Sequence, residues 1–242
     1  MHKPVQWLLS LIFIVQMYLA MALIAIAYLP YAIARRDGAV RAAHAYCAWV
    51  VFSLRLLCGL KTEVRGTPPV GQVLIAAKHH SFLDILMIYG AIPRGRFIMK
   101  AELRFAPFLG WYALRMGCVP VHRGRRGAAI SKMLADVASG ADMAGQVVIY
   151  PQGTRVAPDA KLPYKKGSAA LYAEMGQPCV PVATNAGVFW PKRGILRHRG
   201  TAVIEFLPPI PAGLGAGPFM DALETQIETA STALVREARG GL

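Results

Sequence analysis

Acidic residues are scarce in this 242-residue chain: 13 Asp and Glu stand against 27 Lys and Arg, a formal net charge of +14. Such a surplus needs an anionic neighbour. Nucleic acid is a poor candidate, because the basic residues are dispersed among apolar segments and no nucleic-acid-binding motif occurs. An anionic membrane surface fits better. Clusters at Arg35-Arg36, at Arg123-Gly124-Arg125-Arg126 and from Lys192-Arg193 to Arg199 would each gain about 1 kcal/mol per residue near acidic headgroups, although each reads equally well as a solvated face. Cysteine is scarce too. Cys47, Cys58, Cys118 and Cys179 form no C-x-x-C pair and have no histidine at metal-ligand spacing, which argues against a zinc site and favours free, buried thiols in a reducing compartment. The G-x-S-x-G elbow of esterases is missing. No internal repeat, low-complexity tract or linker marks a second globular domain.

Charge is absent altogether from residues 4–34. That run of about 30 residues exceeds the 20 or so needed to cross a bilayer's hydrocarbon core, so it should tilt, bend or lie partly in the interface. Pro30, which removes a backbone donor, is the expected bend. A cleaved signal peptide ending at Ala32-Ile33-Ala34 is the competing reading, and an apolar region this long argues against it. Arg35, Arg36 and Arg41 follow at once, and such flanks stay on the cytoplasmic side of the inner membrane. A second apolar stretch, 45–60, is interrupted by Ser53 and Arg55. It is expected to be an interfacial helix rather than a second span, with a buried core helix as the alternative. Residues 1–60 would then form a membrane anchor and 61–242 one globular domain.

Beyond residue 60, apolar β-type runs alternate with helical patterns. Strands are expected at 62–65, 73–77, 96–99, 118–121, 147–150, 179–183 and 202–207. Helices are expected at 84–91, 102–116, 127–139, 166–175 and 219–238. The alternation implies an α/β fold, a mixed and largely parallel central sheet flanked by helices. Sites in such sheets gather at the carboxyl ends of strands.

Where the second of these strands gives way to a helix stands Lys78-His79-His80-Ser81-Phe82-Leu83-Asp84. A carboxylate five residues after a histidine can hold one ring nitrogen and leave the other free as a general base; the plainer alternative is a helix cap beside a surface histidine. Further blocks follow in order: Phe97-Ile98-Met99-Lys100-Ala101-Glu102-Leu103, Pro107-Phe108-Leu109-Gly110-Trp111, Gly117-Cys118-Val119-Pro120-Val121-His122-Arg123, Tyr150-Pro151-Gln152-Gly153-Thr154-Arg155 and Cys179-Val180-Pro181-Val182. Together, from about Val73 to Val182, they resemble the glycerophospholipid acyltransferases, the lysophosphatidic acid acyltransferase family. One departure is visible. Gln152 stands where the family usually has Glu, keeping the shape and an acceptor oxygen but losing the charge, so hydrogen-bonding roles survive and carboxylate roles do not.

The resemblance implies acyl transfer without a cofactor or metal, from acyl-CoA or acyl carrier protein to a lysophospholipid, most simply 1-acylglycerol-3-phosphate. His79 would be the base and Asp84 its orienter. Arg155 would grip the acceptor phosphate, with Lys100 and Arg123 as further cations, while Gly153 lets the backbone approach and Thr154 adds a donor. Basic clusters could also steer the carrier protein or a coenzyme A phosphate. His80 is expected to be structural or at the rim, and Ser81 to cap the helix. Pro181 reads as an apolar wall near the acyl chain or as an edge-strand proline. Rival readings are another acceptor such as a lyso-ornithine lipid, a lipid-binding protein without turnover, and an esterase.

Overall fold

The computed structural model describes residues 3–122, 126–139 and 145–240. The uncharged run forms α1 (Lys3–Ala34), with a mean hydropathy of 2.4 over its best window, long and apolar enough to cross a membrane. It runs unbroken through Pro30. The break comes instead at Arg35, which is extended at φ −138°, ψ 140°. The chain then returns as α2 (Arg36–Cys58), which starts well before the expected 45. The two helices are antiparallel: Trp49 donates to Gln16 at 2.7 Å, and Gln6 donates to the Cys58 carbonyl at 3.1 Å. α2 combines both readings of its sequence. Val50, Leu54 and Cys58 are buried in the core, whereas Trp49, Phe52 and Leu56 are exposed.

Next come β1 (Leu60–Arg65), β2 (Leu74–Ala77), α3 (Phe82–Ala91), β3 (Gly95–Lys100), a 3-10 turn (Ala101–Phe105), α4 (Leu109–Arg115), β4 (Val119–Val121) and α5 (Arg126–Ser139). β5 (Gln146–Ile149), α6 (Gly167–Met175), β6 (Cys179–Thr184), α7 (Ala186–Phe189), β7 (Gly200–Phe206) and α8 (Ala216–Gly240) complete the order. The strands form one seven-stranded sheet, β1-β7-β6-β2-β5-β3-β4. Every pair is parallel except β6 and β7, so β7 and β1 run against the rest. The mixed, largely parallel sheet expected from sequence is therefore observed.

Burial along β2 explains how both faces are sealed. All four residues are buried because helices cover both sides. Ile75 and Ala77 face a cluster that includes Phe13 and Met17 of α1, Leu54 of α2 and Leu83 of α3. Leu74 and Ala76 face the other way, toward Leu171 of α6 and Phe219, Leu223 and Ile227 of α8. The α1–α2 hairpin thus shares its apolar cluster with the sheet.

Two further expectations need correction. The single helix over 102–116 is split, because Pro107 cannot continue a helix and holds Ala106 extended, at φ −65°, ψ 130°. The chain turns there with Phe108 at φ 59° before α4 begins. Gly110 makes the turn possible: a Cβ on it would lie 2.1 Å from the Arg104 carbonyl oxygen. Pro181 lies on an interior strand, between β7 and β2, rather than at an edge. The paired ladder to β7 ends at Val182, and contact is kept beyond it by the Leu207 N–H, which donates to the Pro181 carbonyl at 2.9 Å.

Candidate active site

The carboxyl end of β2 sets the site. Strand alternation carried past Ala77 turns Lys78 toward α8 and His79 toward the α1 and α3 side. Lys78, 2% exposed, pairs with Glu228 of α8 at 2.5 Å, and the same oxygen accepts from Tyr164 at 2.8 Å. Burial, reinforced by Glu228, raises the Tyr164 phenol well above its usual range, so it stays a donor. A cleft of about 760 Å³ lined by Leu162, Thr225, Glu228 and Thr229 opens on this side, behind Lys78 and across the sheet from His79.

On the other side, His79 Nδ1 lies 2.9 Å from Asp84 Oδ1. The local fold brings them together. Ser81 caps α3, its Oγ accepting from the Leu83 N–H at 3.1 Å, and Asp84 returns as the third helical residue to close a capping box. The second carboxylate oxygen, Oδ2, accepts from the His80 N–H at 2.8 Å and the Ser81 N–H at 2.7 Å. Asp84 is fully buried and His79 nearly so. With a carboxylate as acceptor, Nδ1 carries the proton and Nε2 keeps its lone pair. Nε2 meets no hydrogen-bond partner among the described residues. α3 begins at Phe82, two residues ahead of the expected start, because Ser81 rather than Asp84 terminates the extended chain.

Tyr150, directly after β5, stacks on the His79 ring at 4.0 Å between centroids and 23° between planes. This contact fixes the ring plane that the Asp84 bond leaves free to rotate. The Tyr150 hydroxyl is buried beside the Asp84 carboxylate without a well-aligned hydrogen bond, and burial together with that charge raises the phenol far above its usual range. His80 is not at the rim. It is 1% exposed, with both ring nitrogens unpartnered, and burial pushes its pKa down to about 4.

The loop after β5 meets His79 through the main chain. Val156 N–H donates to the His79 carbonyl at 2.8 Å, which holds the adjacent Arg155, half-buried, at the same strand edge. Gly153 sits at φ 68°, a left-handed conformation, and donates to Tyr150 O at 2.8 Å. Any side chain there would strain the turn. Thr154 is half-buried. Gln152, 2% exposed, donates from Nε2 to the Leu162 carbonyl at 2.9 Å, while its Oε1 has no partner. The departure from the family's Glu thus works as a donor, which a carboxylate is not. Lys192, from the segment after α7, donates to the Arg155 carbonyl at 3.1 Å and adds a second cation beside the turn.

Of the residues singled out from sequence, His79, Asp84, Gln152, Gly153, Thr154 and Arg155 therefore come together. Lys100 ends β3 on the same sheet edge, two strands from β2 and so about 10 Å away; it is exposed and pairs with Glu102 at 3.5 Å. Arg123 lies outside the described residues. Tyr150 and Lys78 had no role assigned from sequence, and Lys192 was read only as part of a basic cluster facing lipid or an acidic carrier. Period-two alternation along β5 could have found Tyr150, whereas the 150 residues separating Lys78 from Glu228 leave no local signal. The four cysteines are buried and free, and burial raises Cys118 to about 11 and Cys179 to about 12, so both stay thiols. No group of three or more His, Cys, Asp or Glu among the described residues could hold a metal ion.

Known proteins similar to this chain include several named acyltransferases. The 1-acyl-sn-glycerol-3-phosphate acyltransferase of Pseudomonas aeruginosa is 28% identical over 175 residues, covering 72% of this chain and 68% of that one. The human 1-acyl-sn-glycerol-3-phosphate acyltransferase alpha is 28% identical over 202 residues, 79% of this chain and 71% of that one. The Saccharomyces cerevisiae enzyme of the same name is 29% identical over 164 residues, 65% of this chain and 54% of its own length. The crystal structure of the 1-acyl-sn-glycerophosphate acyltransferase PlsC from Thermotoga maritima shares the fold, with a TM-score of 0.80 over 97% of this chain and 98% of that one at 21% identity. The Acyltransferase family itself matches residues 61–185, a stretch that holds His79, Asp84 and the turn at Gly153, and the chain belongs to that family.

Proposed function

We propose that the chain is a membrane-bound acyltransferase that moves a fatty acyl group from acyl-CoA or acyl carrier protein to 1-acylglycerol-3-phosphate, forming phosphatidic acid. The observation that carries this reading is the buried His79–Asp84 pair at 2.9 Å, with Nε2 unengaged and the His79 carbonyl held by Val156, which directly follows the Gly153-Thr154-Arg155 turn. A thioester is already activated, so transfer needs a base and positioning rather than a metal or redox group. The acceptor hydroxyl loses its proton to His79 Nε2 as its oxygen attacks the acyl carbonyl. Asp84 stabilises the imidazolium, which then returns the proton to the departing thiolate. Arg155, with Lys192 beside it, holds the acceptor phosphate through charge-assisted hydrogen bonds. Lys100 is assigned as a further cation on the same sheet edge, and Arg123 keeps the phosphate-binding role that its motif implies.

The relatives' names support the acceptor, and the hydrogen bond of Gln152 to its own loop supports reading that residue as a loop anchor. Residues 1–60 are assigned as membrane anchor and 61–242 as catalytic domain, facing the cytoplasm because Arg35, Arg36 and Arg41 flank the apolar run. Purified full-length chain, given labelled acyl donors and a panel of lysolipids, should acylate 1-acylglycerol-3-phosphate fastest. Preference for a lyso-ornithine lipid, or donor hydrolysis without transfer, would overturn the assignment. The chain should also stay with membranes through high-salt and alkaline washing; release by salt alone would refute the anchor.

A further inference from the structure

Apolar exposure outside the α1–α2 hairpin is concentrated in one place. Of the nine large hydrophobic side chains exposed there among the described residues, five lie within twelve positions: Leu103, Phe105, Phe108, Trp111 and Leu114. Phe105 is 74% exposed. Scattered exposed side chains need no explanation, but a cluster does. Helical spacing puts Trp111 and Leu114 about 60° apart on one face of α4, whose opposite face buries Tyr112 and Ala113, and Phe108 stands at the N-cap of the same helix.

Three observations identify what covers this face. First, it continues the apolar surface of α1. Arg115 donates to the carbonyls of Ala32 at 3.0 Å and Ile33 at 2.8 Å, and Tyr112 donates to that of Ala25 at 2.5 Å, so α4 is fastened beside the last turns of α1, where the apolar run meets Arg35 and Arg36. Second, the composition suits the boundary between headgroups and acyl chains, with aromatic rings interleaved with cations. Arg104 lies over the Phe105 ring at 4.5 Å, and Lys100 and Arg115 flank the segment. Third, the charge is complementary to anionic lipid. From Lys100 to Arg115 there are three basic residues, Lys100, Arg104 and Arg115, and one acidic residue, Glu102.

We propose that the 3-10 turn and α4 form a second membrane element, an aromatic wedge that dips into the headgroup region of an anionic bilayer beside α1. This rests on the reading of α1 as a membrane anchor. Because Lys100 at the end of β3 leads straight into the wedge, immersion brings the edge that carries His79 and Arg155 to the lipid surface. A lysolipid then reaches Nε2 by moving sideways, with its chain still in the bilayer.

The test uses the full chain in phosphatidylcholine and phosphatidylglycerol vesicles. All four native cysteines are buried, so a thiol-reactive environment-sensitive dye labels an introduced cysteine selectively. Phe105→Cys probes the wedge, Val70→Cys probes the loop at the opposite sheet edge, and Leu23→Cys probes α1. The dye at position 105 should shift to the blue and lose emission when lipids carry a doxyl quencher near the headgroup, whereas the dye at position 70 should do neither. If position 105 behaves like position 70 while position 23 is quenched, the wedge is refuted and the anchor stands. If position 23 also reports water, the membrane reading fails with it.

Discussion

Replacing Gln152 by Glu restores the residue the family usually carries, and the structure makes it a harmful change. The Gln152 amide donates to the Leu162 carbonyl at 2.9 Å in a site 2% open to solvent. A carboxylate there sets oxygen against oxygen. It forfeits the hydrogen bond and leaves a buried carbonyl unsatisfied, a loss of about 1–3 kcal/mol, with the cost of burying a charge added. About 2–3 kcal/mol would lower the melting temperature of a chain this size by roughly 5–10 °C. The sign of the pH dependence follows. A protonated carboxyl can donate to Leu162, so the folded state raises the introduced group's pKa above its ordinary value near 4.3. The Gln152→Glu deficit relative to wild type should therefore shrink at acid pH and grow as pH rises through the folded-state pKa. Gln152→Ala should cost about 1–2 kcal/mol at every pH. Tryptophan-monitored melting of the three proteins in detergent from pH 4.5 to 8 measures this. Wild-type stability of Gln152→Glu at pH 8, with no pH trend, would show that the Leu162 contact does not hold the loop. Because Gln152 secures its own loop, the ranking of lysolipids should stay unchanged; a shifted ranking would make position 152 a reader of the headgroup instead.

General-base catalysis supplies about 10²–10⁴ in rate, so His79→Ala should lower turnover by that factor with the melting temperature preserved, and Asp84→Asn should do nearly as much; near-normal turnover in His79→Ala would remove it as the base. Arg155→Ala should weaken the acceptor by roughly 1.5–3 kcal/mol in kcat/KM and leave the donor's KM alone, whereas equal damage to both substrates would mean a structural role. His80 titrates near 4 when folded and near 6.5 when unfolded, so the stability tied to its neutral form is present above pH 6.5 and lost as pH falls toward 4, on the order of 3 kcal/mol. His80→Gln should flatten that acid limb in a melting-versus-pH series; an unchanged limb would place the titrating group elsewhere.

Much of this was legible in the sequence, for reasons particular to each part. The runs that became β2, β5 and β6 are short, apolar and bounded by turn residues, so their existence and type were clear. The His79–Asp84 pair was legible because both ends lie on one strand-to-helix junction, where five residues of spacing fix the geometry. The break at Pro107 was missed because apolar periodicity on both sides of it outweighed one proline. The stacking of Tyr150 on His79 depends on β2 and β5 being neighbours, and that depends on the whole strand order. Gln152 was read as a possible acceptor, but Leu162, the group it meets, returns ten residues later through a loop with no periodic pattern.

The contact between α1 and the rest of the chain has a practical consequence. Phe13 of α1 meets the Trp190 ring edge-on at 5.5 Å, Trp190 in turn meets Phe82 at 6.0 Å, and Arg197 lies over the same indole at 4.3 Å. Gln6 and Ser10 bind the main chain of Arg197 at 2.6 Å and 3.0 Å. Phe82 opens the helix that presents Asp84. Cutting away the first 35 residues to obtain a water-soluble enzyme would therefore strip the cover from a tryptophan one ring from the reactive pair. This fold cannot be moved as a detachable cassette, and work on its chemistry in solution has to carry the greasy helix along.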